Sequence, residues 1–444
     1  MKVRITKKVF VVLVVCVLVG FGVYHDMRTV SGSNDLDTYY TAGKFMREGV
    51  TVYRAEVFST TVSPYLYLPL FAILVSPLTL LSLRVASLVW YLLGLSFFIM
   101  SFLITVRLVS GTFDWRGIFS RRSLILNTIS VLFIFSALLD NISLAQVDFM
   151  IYFLIVLSLY AHEKHRDLWA GIIIAAAGVI KIYPLFLLLY FTFKGKVRII
   201  AGALIGIFLF VFAVPVACMG GDRFRSEMGD WARMKMAPYA RPPAKRLEDN
   251  YTHFESLCKL SNQSLSAVLA RYLTDYYYDP KADIEDIDEW VGNNIKHKIP
   301  FPVKLPPYQV EVATKFISLM ILLVSFSAVV MGRKRSSRES TSVEYAVMLL
   351  CMILLFPVVQ THLLASMVFP VLAFNTVRGK MPEKVERVAD IVFIIAFLLY
   401  ALQADRFMKS LGSGAMSVLV MWALFVFLSL RGVGPGLSAE EPPA

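Results

Sequence analysis

Two carboxylates, a lysine and a histidine stand where apolar runs of this chain begin or end. Asp35 and Asp37 follow the first apolar run, in Ser31-Gly32-Ser33-Asn34-Asp35-Leu36-Asp37-Thr38-Tyr39-Tyr40. A carboxylate set among aromatics can take a proton from an attacking hydroxyl, a role that contributes about 10²–10⁴-fold to a reaction. An Asp here can equally cap a helix starting at Leu36. With two of them at helix-capping spacing, one can cap while the other points elsewhere. Lys181 closes the apolar run Ala170 to Ile180 and opens another. An ionisable residue at membrane depth is costly and is a candidate for function, unless its stem lets the charge snorkel to an interface. Asp140-Asn141, Gln146-Val147-Asp148, Asn262-Gln263-Ser264 and Gln360-Thr361-His362 are further polar knots. Taken singly, each is more often capping or packing than chemistry. Asp148 falls just inside an apolar run and needs a partner there.

The elements that must position these groups are membrane helices. Hydrophobic residues make up 57% of the 444 residues and charged residues 17%, against about 45–50% and about 25% in soluble chains. A water-facing surface cannot be built from so few charges. The apolar residues come in blocks, and a hydrocarbon layer about 30 Å thick needs roughly 20 per helix. This excludes disordered, collagenous and DNA-binding classes. The net charge of +12 sits in clusters at the ends of apolar blocks, where it orients the chain and meets anionic lipid, so no nucleic-acid partner is expected.

The predicted fold is an all-α polytopic bundle of about twelve spans, near 9–24, 84–107, 123–139, 145–161, 167–180, 182–193, 197–217, 311–331, 343–358, 361–377, 388–404 and 413–430. With the N-terminus inside, every second connection is cytoplasmic. Those short segments collect 22 of the 44 Lys and Arg, as the positive-inside rule requires. Counting Tyr65 to Leu81 as a span would export Arg333-Lys334-Arg335, so that block is expected to lie in the outer interface. Basic residues on both sides of 167–193 place both its ends inside, which demands a turn near Lys181-Ile182-Tyr183-Pro184. The chain then divides into a first helix (1–24), an outer loop with interfacial helices (25–83), helices two to seven (84–217), a large outer loop or cap (218–310), helices eight to twelve (311–430) and a cytoplasmic tail (431–444). The segment from Met219 to Gln309 carries 13 basic and 13 acidic residues, which cancel. Cys218 and Cys258 could pair there if it faces an oxidising compartment. No Walker loop, GxGxxG, HExxH or CxxC is present, and the six histidines show no ligand-like pairing. No metal site and no cofactor are expected.

Several of these residues together resemble glycosyltransferase family 87. The run Asp35-Leu36-x-x-Tyr39-Tyr40-x-Ala42-Gly43 is similar to that family, followed by Gly49, Tyr53, Tyr67-x-Pro69-Leu70 and Pro77-Leu78. So are Gln146-Val147-Asp148, Ala170-Gly171 leading to Ile180-Lys181-x-x-Pro184, Asn262-Gln263-Ser264-Leu265, and Pro357 followed by His362. The motifs run in order over about residues 30 to 375. Leu68, Asp148 and Gln360 stand where the family usually has Pro, Asn and Trp. The resemblance implies a GT-C-type membrane enzyme, similar to mannosyltransferases that use polyprenyl-phosphate mannose, with its site at the outer face. It also implies that Asp35 is the catalytic base, with Asp37 the second choice.

Such chemistry suits the residues. A sugar on polyprenyl phosphate carries a good anionic leaving group, so one base and cationic help are enough. The expected reaction moves a hexose from that donor to a hydroxyl of a lipid-linked or glycan acceptor, with inversion. Lys181 and His362 are expected at the donor phosphate, and Tyr39, Tyr67, Gln146, Asp148, Asn262 and Gln263 around the substrates. A transporter or lipid-linked-sugar flippase is the rival, since transporters also carry intramembrane charges and broken helices. The long outer segment favours the enzyme.

Overall fold

The computed structural model describes residues 7–32, 34–53, 65–114, 116, 124–236, 262–274, 303–332 and 337–432. Most of these are helical, with no strand among them. The chain enters as α1 (Lys7–Val30) and then forms two helices of the first loop, α2 (Leu36–Glu48) and α3 (Pro69–Val75). A 3₁₀ turn (Ser76–Leu80) extends α3. Next come α4 (Leu83–Ser110), α5 (Leu124–Ser143), α6 (Asp148–Glu163) and α7 (Asp167–Ile180). After α7 the chain breaks through a 3₁₀ turn (Tyr183–Phe186) into α8 (Leu187–Phe193). α9 (Val197–Ile207) then runs through a π turn (Phe208–Ala213) into α10 (Val214–Met219).

Beyond it lie α11 (Gly221–Met236), α12 (Leu265–Leu273), α13 (Pro307–Gly332) and α14 (Arg338–Leu355). A 3₁₀ segment (Thr361–Met367) leads to α15 (Val368–Val377). α16 (Glu383–Ala401), α17 (Arg406–Ser410) and α18 (Ser413–Arg431) complete the described chain.

Five stretches are long and apolar enough to cross a bilayer: Leu83–Ser110, Leu124–Ser143, Val197–Met219, Tyr308–Met331 and Ser413–Arg431. Helix stands at every one of the twelve expected positions, but several pieces are short. α7, at 14 residues, rises about 21 Å. The segments expected at 182–193 and 361–377 each split into a 3₁₀ turn and a short α-helix. The block at Tyr65 to Leu81 is not a through-going helix either. α3 and its 3₁₀ extension lie along α2, where Gly43 lets the Ser76 backbone come within 3.1 Å of the position a Cβ would take.

Burial sorts the helices. α14 from Ser342 to Leu354 and α15 up to Phe374 are buried on every side, and from Tyr345 onward α14 is apolar, as expected at the centre of a bundle. α4, α9 with the π turn after it, and α13 expose Leu88, Leu92, Leu204, Phe208, Phe316 and Leu323, surface that only lipid would cover without cost. α7 and α9 cross backbone to backbone. A Cβ on Gly171 would lie 2.0 Å from the Ile199 carbonyl oxygen, and one on Gly202 would lie 2.1 Å from that of Leu168. This is the small-residue packing that lets membrane helices approach closely.

The connectivity brings four helix ends to one face. α1 and α5 finish there, α6 starts there, and α7 finishes there at Lys181. The segment Val359 to His362 returns to the same place. At the opposite face Glu163 meets both Arg107 (3.3 Å) and Arg338 (3.1 Å). Buried Glu344 is held there by Lys194 (2.7 Å) and the Tyr190 hydroxyl (3.1 Å).

Candidate active site

Asp35 sits between α1 and α2. Its backbone N–H donates to the Leu144 carbonyl (3.1 Å), and its carboxylate makes no capping bond to α2. The capping alternative is therefore not what this side chain does. Its Oδ2 accepts a short hydrogen bond from the Gln146 amide and faces the Tyr39 hydroxyl at 3.5 Å. Its Oδ1 takes no hydrogen bond among the described residues. Burial pushes the Asp35 carboxyl above the usual carboxylate range, and His362, the Gln146 amide and Lys181 draw it partly back. Asp37 is half-buried on the next turn, and burial alone raises it.

Gln146 links Asp35 to a second carboxylate. Its Oε1 accepts from the Lys181 ammonium at 3.4 Å, which fixes the amide with its N–H₂ toward Asp35. The ammonium donates to Asp148 at 2.7 Å. Asp148 is 1% exposed and also accepts from the Tyr183 hydroxyl at 3.1 Å. A buried carboxylate at the first turn of a helix thus receives the cation it needs. Lys181 reaches it because α7 stops at Ile180 and Lys181 itself is extended (φ −130°, ψ 126°). Pro184 then opens the 3₁₀ turn, where its missing N–H costs nothing.

His362 stands between two acids. Its Nε2 is 3.6 Å from Asp148 and its Nδ1 is 3.6 Å from Asp140. Its carbonyl accepts from Asn141 at 2.9 Å. An aromatic wall completes the group. Tyr39 and Tyr67 share a hydrogen bond (3.0 Å), and both rings pack on Phe71.

The loop carrying Gln146 is tied from three sides. The His25 ring bonds the Ile142 carbonyl (2.8 Å), Asp35 N–H bonds that of Leu144, and the Trp90 indole bonds that of Ala145 (3.0 Å). Ala145 is in the left-handed region at φ 52°. That strain, of order 1–3 kcal/mol, persists only where the surroundings dictate it.

Of the residues singled out from sequence, Asp35, Tyr39, Tyr67, Gln146, Asp148, Lys181 and His362 thus meet in one cluster. Asn262 and Gln263 do not join it. The Asn262 side chain bonds the Pro357 carbonyl, the Val359 N–H and the Ser264 N–H. The Gln263 side chain bonds the Lys409 carbonyl and the Gly414 N–H. The Asn262 side chain and the Gln263 backbone N–H, which donates to the Val359 carbonyl (2.6 Å), brace the segment that delivers His362. Three contributors escaped sequence reasoning: Tyr183, His25 and Trp90. His25 ends the first apolar run, and an ionisable residue there was the available signal. Cys218 is exposed and unbridged, and Cys258 lies outside the described residues.

A carboxylate with one open oxygen thus stands beside a lysine, a histidine and an aromatic wall at one end of a membrane bundle, the set of groups that a membrane group-transfer enzyme needs. The chain belongs to glycosyltransferase family 87, whose sequence profile matches residues 65–359. It is a membrane glycosyltransferase. The match takes in Tyr67, Gln146, Asp148 and Lys181, while Asp35 and His362 fall outside it. No curated protein and no solved structure matches the chain.

Proposed function

We propose that the protein transfers a hexose, mannose being the first candidate, from a polyprenyl-phosphate donor to a hydroxyl of a lipid-linked or glycan acceptor at the outer face of the membrane. The observation that carries this is the chain Asp35–Gln146–Lys181–Asp148, which holds a base and a cation a few ångströms apart.

The acceptor hydroxyl gives its proton to the Asp35 oxygen that no protein group occupies. Its oxygen bonds to the anomeric carbon as the bond from that carbon to the phosphate oxygen breaks, and the polyprenyl phosphate leaves as an anion. Attack from the far side inverts the anomeric configuration. No strong general acid is needed, unlike glycoside hydrolysis. The charge developing on the phosphate is met by Lys181, with His362 beside it. A preorganised cation in a dry site stabilises such charge more than in water. Gln146 holds base and cation at a fixed spacing, and the Tyr39–Tyr67–Phe71 wall offers a face to sugar or lipid. We propose that transfer proceeds without a metal ion, Lys181 taking the cation's part.

The test is transfer by purified protein from labelled polyprenyl-phosphate sugars to an acceptor extract, with and without chelator. Label should reach the acceptor in both, and Asp35→Asn should abolish it. Label that crosses a vesicle wall without changing carrier would make the protein a flippase instead.

A further inference from the structure

The α6–α7 turn and the start of α9 enclose a surface cavity of about 280 Å³ at the face opposite the candidate active site. Its walls are His165, Arg166, Asp167, Leu168, Trp169 and Arg198. α7 spans the distance between the two, about 21 Å from Asp167 to Ile180, so the cavity shares no residue with the transfer site.

Three features bear on what it holds. The first is charge. Arg166 and Arg198 come from separate turns yet line one cavity, joined by His165, and none of the three has a side-chain ion pair among the described residues. The acid present, Asp167, is already engaged by the His162 ring at 2.7 Å. The second is rigidity. The two arginines are brought together by the α7–α9 crossing, where Gly202 meets the backbone of Leu168 and Gly171 that of Ile199. Leu168 is a wall residue, and Ile199 follows Arg198, so the cavity's two sides are fixed by backbone contact. His165 turns the chain in the left-handed region, at φ 58°. The third is the rim. Trp169 is 60% exposed and Leu168 43%, which puts an indole and an isobutyl group beside the cationic pair. Tryptophan is favoured where hydrocarbon meets headgroups.

We propose that this cavity binds the phosphate headgroup of an anionic membrane lipid, with Arg166 and Arg198 on the phosphate oxygens and the first acyl carbons along Trp169 and Leu168. The arginine fork matches phosphate geometry. A soluble phosphate would use the same cations but not the apolar rim, so the rim favours the lipid. The site stands whether or not Asp35 is the transferase base.

The experiment uses the full chain in phosphatidylcholine nanodiscs doped with phosphatidylglycerol, with bound lipid counted by native mass spectrometry. The wild type should retain phosphatidylglycerol in preference to phosphatidylcholine. Arg166→Gln with Arg198→Gln should weaken that binding about 25-fold, roughly 5-fold per charge, while the melting temperature in pure phosphatidylcholine stays at the wild-type value. Arg166→Lys with Arg198→Lys keeps the charges but loses the fork, and should fall between the wild type and the double glutamine variant. A second readout needs no arginine variant. Phosphatidylglycerol brominated near the carbonyl should quench the part of the fluorescence lost in Trp169→Phe, and brominated phosphatidylcholine should not. Equal retention of both lipids, an undiminished preference in the double glutamine variant, or quenching that does not distinguish the lipids would overturn the proposal. So would displacement of the lipid by inorganic phosphate at equal concentration, which would assign the cavity to a soluble anion.

Discussion

Asp35 keeps one oxygen bound by the protein and the other open, which is the arrangement a base needs in order to be both positioned and available. Asp35→Asn should lower transfer by at least about 10²-fold, in the range attributed to a positioned base, with expression and melting temperature unchanged. Asp37→Asn should stay near the wild-type rate, and the opposite pattern would move the base by two residues. A base works only when ionised. Because burial raises the Asp35 carboxyl, transfer should climb as pH rises through a value above the ordinary carboxylate range and then level off. A rate already flat from the ordinary range upward would speak against that assignment. Lys181 is a different case, because removing it strands a buried Asp148. Lys181→Ala should cost about 3–5 kcal/mol of stability through the unpaired acid, which confounds any loss of activity. Lys181→Gln combined with Asp148→Asn removes both charges and should recover much of the melting temperature. If donor KM stays raised or kcat stays low in the pair, the ammonium serves the donor and not only the fold.

At the scale of elements, the strained loop between α5 and α6 matters most. Three side or main chains from α1, α4 and the start of α2 hold three of its carbonyls. Trp90→Phe keeps the ring and frees the Ala145 carbonyl. It should lower kcat several-fold, consistent with a lost hydrogen bond of about 1 kcal/mol, and leave donor KM unchanged. A rise in donor KM with kcat intact would mean that the indole touches substrate. The α7–α9 crossing makes a harsher prediction. Gly171→Ala sets a methyl against backbone that cannot rotate away, so the variant should melt well below the wild type, beyond the usual 1–3 kcal/mol of overpacking. The sequence made some of this visible. Lys181 and Asp148 could be singled out because each interrupts an apolar run, and a charge in that setting must find a partner. The turn after Ile180 could be deduced from basic clusters on both flanks. The backbone of Ala145 could not, since an alanine carries no mark of a left-handed conformation imposed by distant hydrogen bonds. Asn262 and Gln263 illustrate a related limit. A polar knot on the correct side looks the same in sequence whether its amides meet a substrate or tie down a neighbouring segment.

The described helices form a bundle with the candidate site at one end and the cavity of Arg166 and Arg198 at the other. Membrane character was plain from composition, whereas the number of full crossings was not. Hydropathy marks apolar residues but not the points where a 3₁₀ turn ends a helix early, as after Lys181 and before Val368. The orientation deduced from basic clusters can be checked on Cys218, which is exposed at the end of α10. In a Cys258→Ser background, a membrane-impermeant thiol reagent added outside intact cells should label it. Protection from outside, with labelling only after lysis, would invert the topology.

Backbone contact between α7 and α9 also has a kinetic corollary. At Gly171 and Gly202 backbone lies directly on backbone, which fixes α7, and the ammonium at its end is held by Asp148, so it has little room to reach outward. On the proposed reading, the prenyl carrier drifts sideways through the leaflet until its headgroup arrives. Turnover should then follow the carrier's mole fraction in the bilayer and fall when inert lipid is added at constant total amount, as in surface-dilution kinetics.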